Sequence, residues 1–315
     1  MHRPSSPPAT SIVVAILTLG VFAVSTAAIF IRLSMVAAAN TSIGFSLFVS
    51  ATRLLFAALL VLPTWSGIRQ PSVTSRATRY AIAAGACLCV HFATWITSLA
   101  FTSIAASVTL VTTNPIWVAL LAWAFLGEKP TRASGLGIAI AIAGGALIAY
   151  GDADSGLAGS NPLLGDLLAL VGAWAASAYF LLGREAQRCG LGIGNYVAIA
   201  YSTAALLLLP LPWLFGGRYT GHPSSVYFYI LAMAIVSQIG GHTSFNWAVR
   251  WISPTLVALA ILFEPVGSSL LGFVVFGEVP APAVLFGAIV LLLGVGLAVR
   301  GSQMQNPPAT STGEW

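Results

Sequence analysis

Two ionisable side chains, Glu264 and Arg53, stand well inside apolar runs long enough to cross a lipid bilayer. An ionised group at the centre of a bilayer costs about 2.5–3.5 kcal/mol on insertion scales, so it is expected to face a bundle interior, where it is paired, neutral or hydrated. Glu264 is followed by Pro265, which removes an amide donor and frees a carbonyl one turn earlier. Together they can form a substrate or proton site, or the carboxylate can be a structural group bonded to a neighbouring helix. Arg53 shares a helical face with Ser46 and Ser50, at i, i+4 and i+7. It can bind a carboxylate on a cargo molecule or pair with Glu264; snorkelling and a structural ion pair are the competing readings.

Two stripes carry further chemistry. His91, Trp95 and Ser98 share one face of an apolar segment, and Gln238, His242 and Asn246 share one face of another. Histidine titrates near neutral pH and can couple protons, while an interhelical hydrogen bond is the plainer use of each residue, worth about 0.6–2 kcal/mol. The two stripes together point to a lined cavity. Asn114 precedes Pro115, as Glu264 precedes Pro265, and lies on a face with Ser103 and Ser107. Ser and Thr can bond back to their own helix, so these hydroxyls need no partner. Trp174, Ser177 and Tyr179 form a weaker set. Cys87 and Cys89, spaced C-x-C without further ligands nearby, read as small buried residues. The expected substrate-contacting set is therefore Glu264, Asn114, Arg53, His91, Trp95, His242, Asn246 and Gln238, with helix kinks at Pro115 and Pro265, and no metal, cofactor or catalytic residue.

The elements that position these residues follow from composition. Of 315 residues, 58% are hydrophobic and 7% charged, and mean hydropathy is +0.92. A soluble domain carries roughly 25% charged residues, so this chain is expected to face lipid. About 20 apolar residues span a bilayer, and ten segments qualify: Ser11–Ile31, Ile43–Pro63, Tyr80–Leu99, Ser103–Leu126, Ala133–Tyr150, Leu163–Gly183, Ile193–Phe215, Val226–Val249, Ile252–Phe276 and Ala283–Val299. The first is long for a signal peptide and has a counterpart later in the chain, so it reads as a span. Residues 1–10 and 302–315 read as disordered tails. With a cytoplasmic N-terminus, Arg3, Arg69, Arg76, Arg79, Lys129 and Arg132 fall inside, as do Arg184, Arg188, Arg250 and Arg300; only Arg32 and Arg218 fall outside. The positive-inside rule then places both termini in the cytoplasm. Basic residues spread between apolar runs, not gathered in a patch, argue against nucleic acid as the partner of a net charge of +5.

An internal repeat organises the spans. Pro115 matches Pro265, Gly127 matches Gly277, Glu128 matches Glu278, Pro130 matches Pro280, Gly137 matches Gly287, Gly144 matches Gly294 and Gly151 matches Gly301, all at one constant offset of 150 positions. The units cover 11–151 and 161–301. Five spans per unit is odd, so the second copy enters from the opposite face. The expected fold is an all-α membrane protein of ten transmembrane helices in two inverted five-helix repeats, an architecture of alternating-access transporters whose sites lie between repeats near the midplane. Some channels share it. Gly127 and Gly277 read as helix C-caps, with Glu128 and Glu278 structural and near the surface. Gly137, Ala141 and Gly145 form a small-residue face for close helix packing, of a kind that a homodimer could use.

Asn114-Pro115 with Gly127-Glu128-Lys129-Pro130, and Glu264-Pro265 with Gly277-Glu278-Val279-Pro280, each run into a glycine-rich helix. In these motifs, and in Arg53 ahead of Leu54, Leu55 and Pro63, the chain resembles the EamA-type family of the drug/metabolite transporter superfamily over roughly residues 12–300. The resemblance implies ten helices, cytoplasmic termini and, often, export of amino acids or related metabolites across the cell membrane. The second to fourth and seventh to ninth helices are expected to form the site, with the first and sixth as gates. A membrane-embedded enzyme would need a motif such as H-E-x-x-H or G-x-S-x-G, and neither is present; a channel would need a lined filter or charge ring, and an ATP-driven pump a P-loop.

Overall fold

The computed structural model describes residues 8–64, 74–126, 131–153, 161–248, 257 and 260–305. The first half contains α1 (Thr10–Ser25), α2 (Ala27–Ala38), α3 (Ile43–Leu60), α4 (Ser75–Ser98), α5 (Ile104–Val111), α6 (Asn114–Leu126) and α7 (Arg132–Ala153). The second contains α8 (Pro162–Arg188), α9 (Ile193–Leu208), α10 (Leu211–Leu214), α11 (Ser224–Met233), a π-helical segment (Ala234–His242), α12 (Thr243–Ala248), α13 (Glu264–Phe276) and α14 (Pro282–Gln305). No strand occurs among the described residues. The tails 1–7 and 306–315, the Gly127-to-Pro130 turn, Arg69, Arg250 and Pro254 lie outside the described residues.

Among the described residues, seven helices are long and apolar enough to cross a membrane, counting α1–α2, α9–α10 and α11–α12 as continuous. The other three predicted spans are shorter as uninterrupted apolar helices. Thr112 and Thr113 divide Ser103–Leu126 into α5 and α6; Pro115, at the start of the second piece, cannot supply the amide that a continuous helix needs. The span around Glu264 is described as a continuous helix only over α13, and the apolar part of α7 is Arg132–Ile148.

The repeat is written into packing. A Cβ on Gly137 would come within 2.6 Å of the Gly294 carbonyl, and one on Gly287 within 2.8 Å of the Gly144 carbonyl. The same pairing links Gly151 to Ala283 and Gly301 to Ser134. Positions rise along α7 as they fall along α14, so the helices are antiparallel. Each contact recurs with the roles of the two halves exchanged, the signature of a two-fold axis crossing the helices. Glycine is required here because backbones touch. The predicted small-residue face is thus occupied by α14 within the chain, and a homodimer would need another surface. Gly144→Ala would place its Cβ 2.4 Å from the Leu291 nitrogen, a backbone atom that cannot swing aside, and is expected to cost about 1–3 kcal/mol. Gly135→Ala meets nothing within 4 Å and should leave stability level. Thermal unfolding in detergent checks both; equal midpoints would contradict the packing.

Candidate functional site

Both broken helices are held at equivalent points. Ser177 on α8 shares its hydroxyl proton between the carbonyls of Ala173 at 2.8 Å and Asn114 at 3.0 Å, and Ser25 at the end of α1 shares its own between Val21 at 2.9 Å and Glu264 at 3.4 Å. With its amide nitrogen turned towards the helix, Asn114 donates to the carbonyl of Val111 at 3.1 Å and to that of Ala173 at 3.0 Å. The first of these is the carbonyl left without a helical amide by Pro115. Asn114 therefore satisfies its own kink, whereas a carboxylate stands at the same point of the second half.

Between these breaks lies a small cavity. Leu88, His91 and Trp95 of α4 form one wall; Val111, Thr112 and Asn114 form the first break; Ala176, Tyr179 and Phe180 come from α8; and His242, Phe245 and Glu264 close it from the second half. The open space holds about two water molecules, so a larger cargo needs side chains or helices to move. His91 and Trp95 stack at 5.8 Å between ring centroids. His91 also donates from Nδ1 to the Gly172 carbonyl at 2.9 Å, which fixes the proton on that nitrogen and ties α4 to α8.

Five of the eight predicted contact residues line this cavity: Glu264, Asn114, His91, Trp95 and His242. Asn246 is buried beside it and donates to the hydroxyl of Tyr179 at 3.2 Å. Gln238 is fully buried off the wall. The separation of Gln238, His242 and Asn246 has a local cause. Residues 234–242 are π-helical, and the amide of Thr243 bonds to the carbonyl of Gln238, five positions back. An i, i+4 stripe presumes α-helical turns, and a π turn rotates the residues after it relative to those before it. The Gly240-Gly241 pair is the available sequence signal. Gly241 packs so closely on α1 that a Cβ would sit 2.4 Å from Val24. Tyr179, in the weaker predicted set, lines the cavity, as does Thr112, adjacent to the polar face that holds Asn114; Phe180 and Phe245 also line it, and residue spacing does not single them out. Arg53 is fully buried behind the wall, its guanidinium 4.2 Å above the ring of Phe92.

A polar cluster closes the bundle at the end where α2, α5, α8 and α13 meet. The sequence places Glu278 near the surface; the structure corrects this, because the residue is 6% exposed. Gly277, in the left-handed region at φ 67°, ends α13 and turns Glu278 inwards. Its Oε1 accepts from the amide of Ile104 at 2.7 Å, so a residue of the second half caps α5 of the first. Arg32 lies 3.9 Å from the other carboxylate oxygen and donates to the Thr102 carbonyl at 3.0 Å. The Thr102 hydroxyl donates to Asp166 at 2.8 Å. Four segments from both halves are thus bonded together. Positions 128 and 253, the repeat counterparts of Glu278 and Ser103, lie outside the described residues.

Comparison with known proteins gives the same two-part division. The model of the EamA-like transporter family matches residues 10–150 and again residues 163–300. The chain belongs to the EamA-like transporter family. A relative from Streptantibioticus cattleyicolor, described as a probable terminal-alkyne amino-acid exporter, is 30% identical over 209 residues, 65% of this chain and 67% of the relative. A crystal structure 19% identical in sequence superposes with a TM-score of 0.60, covering 95% of this chain and 100% of the other, which shows a shared fold. With its several apolar helices, this EamA-like transporter is a multi-pass membrane protein.

Proposed function

We propose that this EamA-like protein exports small amphipathic metabolites, amino acids first among them, by alternating access between two inverted five-helix repeats of the cell membrane, with both termini cytoplasmic. The observation that carries the proposal is the cavity at the two helix breaks, which draws a carboxylate from one half and an amide from the other at positions 150 apart. Ten passes follow if each broken pair counts as one. Glu264 and Asn114 would contact cargo directly, with Trp95, Phe180 and Phe245 covering its apolar part. The name of the Streptantibioticus relative favours an amino-acid cargo. The match of both halves to the EamA-like transporter family favours a transporter over a membrane-embedded enzyme.

The test is counterflow in proteoliposomes. Vesicles preloaded with an unlabelled amino acid are expected to accumulate the same labelled amino acid transiently, and the rate should saturate with its concentration. Flux that rises linearly without saturation would favour a channel-like pore. Absence of flux for every amino acid and metabolite in a broad panel would contradict the reading.

A further inference from the structure

Among the described residues Arg53 has no hydrogen-bond partner. Its side chain is fully buried, and none of its three guanidinium nitrogens meets an acceptor. Its guanidinium lies over the face of Phe92, 4.2 Å from the ring centroid. A guanidinium carries five donors in a fixed fork that suits a carboxylate, and a buried cation without a counter-ion is strongly unfavourable. The carboxylate within electrostatic reach is Glu264. Yet the two form no ion pair within 4.0 Å. The other titratable groups facing Arg53 are Tyr201, His91 and His242, none of which supplies a negative charge at neutral pH.

We propose that Arg53 and Glu264 are the two ends of a clamp for a zwitterion: the guanidinium takes the carboxylate of a free α-amino acid, and the Glu264 carboxylate takes its ammonium. This rests on the cavity being the transport site. Phe92 is the residue between. Its ring lies 4.6 Å from that of His91 and 5.7 Å from that of His242, both of which line the cavity. Turning the Phe92 ring aside would open Arg53 to that space. Leu88, Trp95, Val111, Ala176, Phe180 and Phe245 give the remaining walls an apolar and aromatic majority beside Thr112, Asn114 and Tyr179, so an amino acid with a largely apolar side chain fits best. The clamp requires both charges on the cargo, and it excludes amines, carboxyl amides and N-acylated amino acids of the same side chain.

Competition during counterflow reads this directly. With a labelled apolar amino acid as cargo in the wild-type protein, the unlabelled amino acid should compete, whereas its carboxyl amide and its N-acetyl derivative should each be weaker by at least about tenfold, the scale of a lost bond to a charged group. In Arg53→Gln the preference for the amino acid over its amide should fall towards one. A purely structural role for Arg53 would lower all flux and leave that ratio unchanged, overturning the clamp. Equal competition by the amide in the wild type would overturn it as well, without any variant, while leaving the transport reading standing. Absence of counterflow for every amino acid would overturn the clamp, and absence for the other metabolites of the panel as well would remove the transport reading with it.

Discussion

Replacement of Glu264 by alanine is expected to reduce counterflow of an amino-acid cargo by about 10- to 150-fold and to leave the protein folded. The magnitude is that of one lost charge-assisted bond, about 1.5–3 kcal/mol, read as a ratio of rates or affinities. The expectation of intact folding has its own basis. Among the described residues the Glu264 side chain accepts no hydrogen bond; the bond from Ser25 reaches its backbone carbonyl, which alanine retains. Removing a carboxylate from mid-membrane removes its insertion cost but also the attraction it exerts on the buried Arg53 guanidinium. The two changes oppose each other, so the thermal midpoint in detergent should move little while transport falls. Glu264→Gln, which keeps the shape and loses the charge, should resemble alanine. A variant of either kind with wild-type flux would contradict a cargo-binding role, and a collapse in stability would return Glu264 to the structural reading.

The fold and part of the site are legible in the residues for different reasons. The constant offset from Pro115/Pro265 to Gly151/Gly301 survives at the described prolines and glycines because these positions answer backbone requirements that few other residues meet. The prolines break helices, Gly277 turns at positive φ, and Gly137, Gly144, Gly287 and Gly294 sit where α7 and α14 touch. Backbone requirements leave marks in residue type. Cavity lining is a matter of helix rotation, which is readable only where the helix is regular. On α4, an uninterrupted α-helix, His91 and Trp95 reach the wall together. Along residues 234–242 the π turns shift the register, and of the three aligned residues only His242 reaches it. Arg53 is legible as part of a polar face but not as a buried cation without a hydrogen-bond partner among the described residues, because its surroundings, Phe92 among them, come from other helices. Glu278 is misplaced by sequence reasoning for a similar cause. A glutamate after a capping glycine has no partner that local sequence supplies, and here the approach of α5 from the other half gives it an amide to bond.

The cluster around Glu278 has a consequence for the transport cycle. Its bonds join α2, the start of α5, α8 and the end of α13, and the contacts of Glu278 with Ile104 and Arg32 and of Thr102 with Asp166 link the two halves. On the proposed inverted topology this end is the outer face, and export requires it to part once per cycle. Thr102 and Asp166 form a close side-chain pair across it, 2.8 Å apart between oxygens, with Gly165 packed against Thr102. If the halves separate here, locking that pair must stop transport even though the lock is remote from Glu264 in sequence and chemistry.

The most direct measurement is therefore counterflow by a Thr102→Cys/Asp166→Cys protein, in a background where Cys87, Cys89 and Cys189 are replaced, before and after bridging with a short reducible cross-linker. Alternating access predicts that bridging abolishes counterflow, that reductant restores it, and that neither single-cysteine protein responds. Flux that persists at full cross-linking would show that this end never opens during transport and would contradict the mechanism.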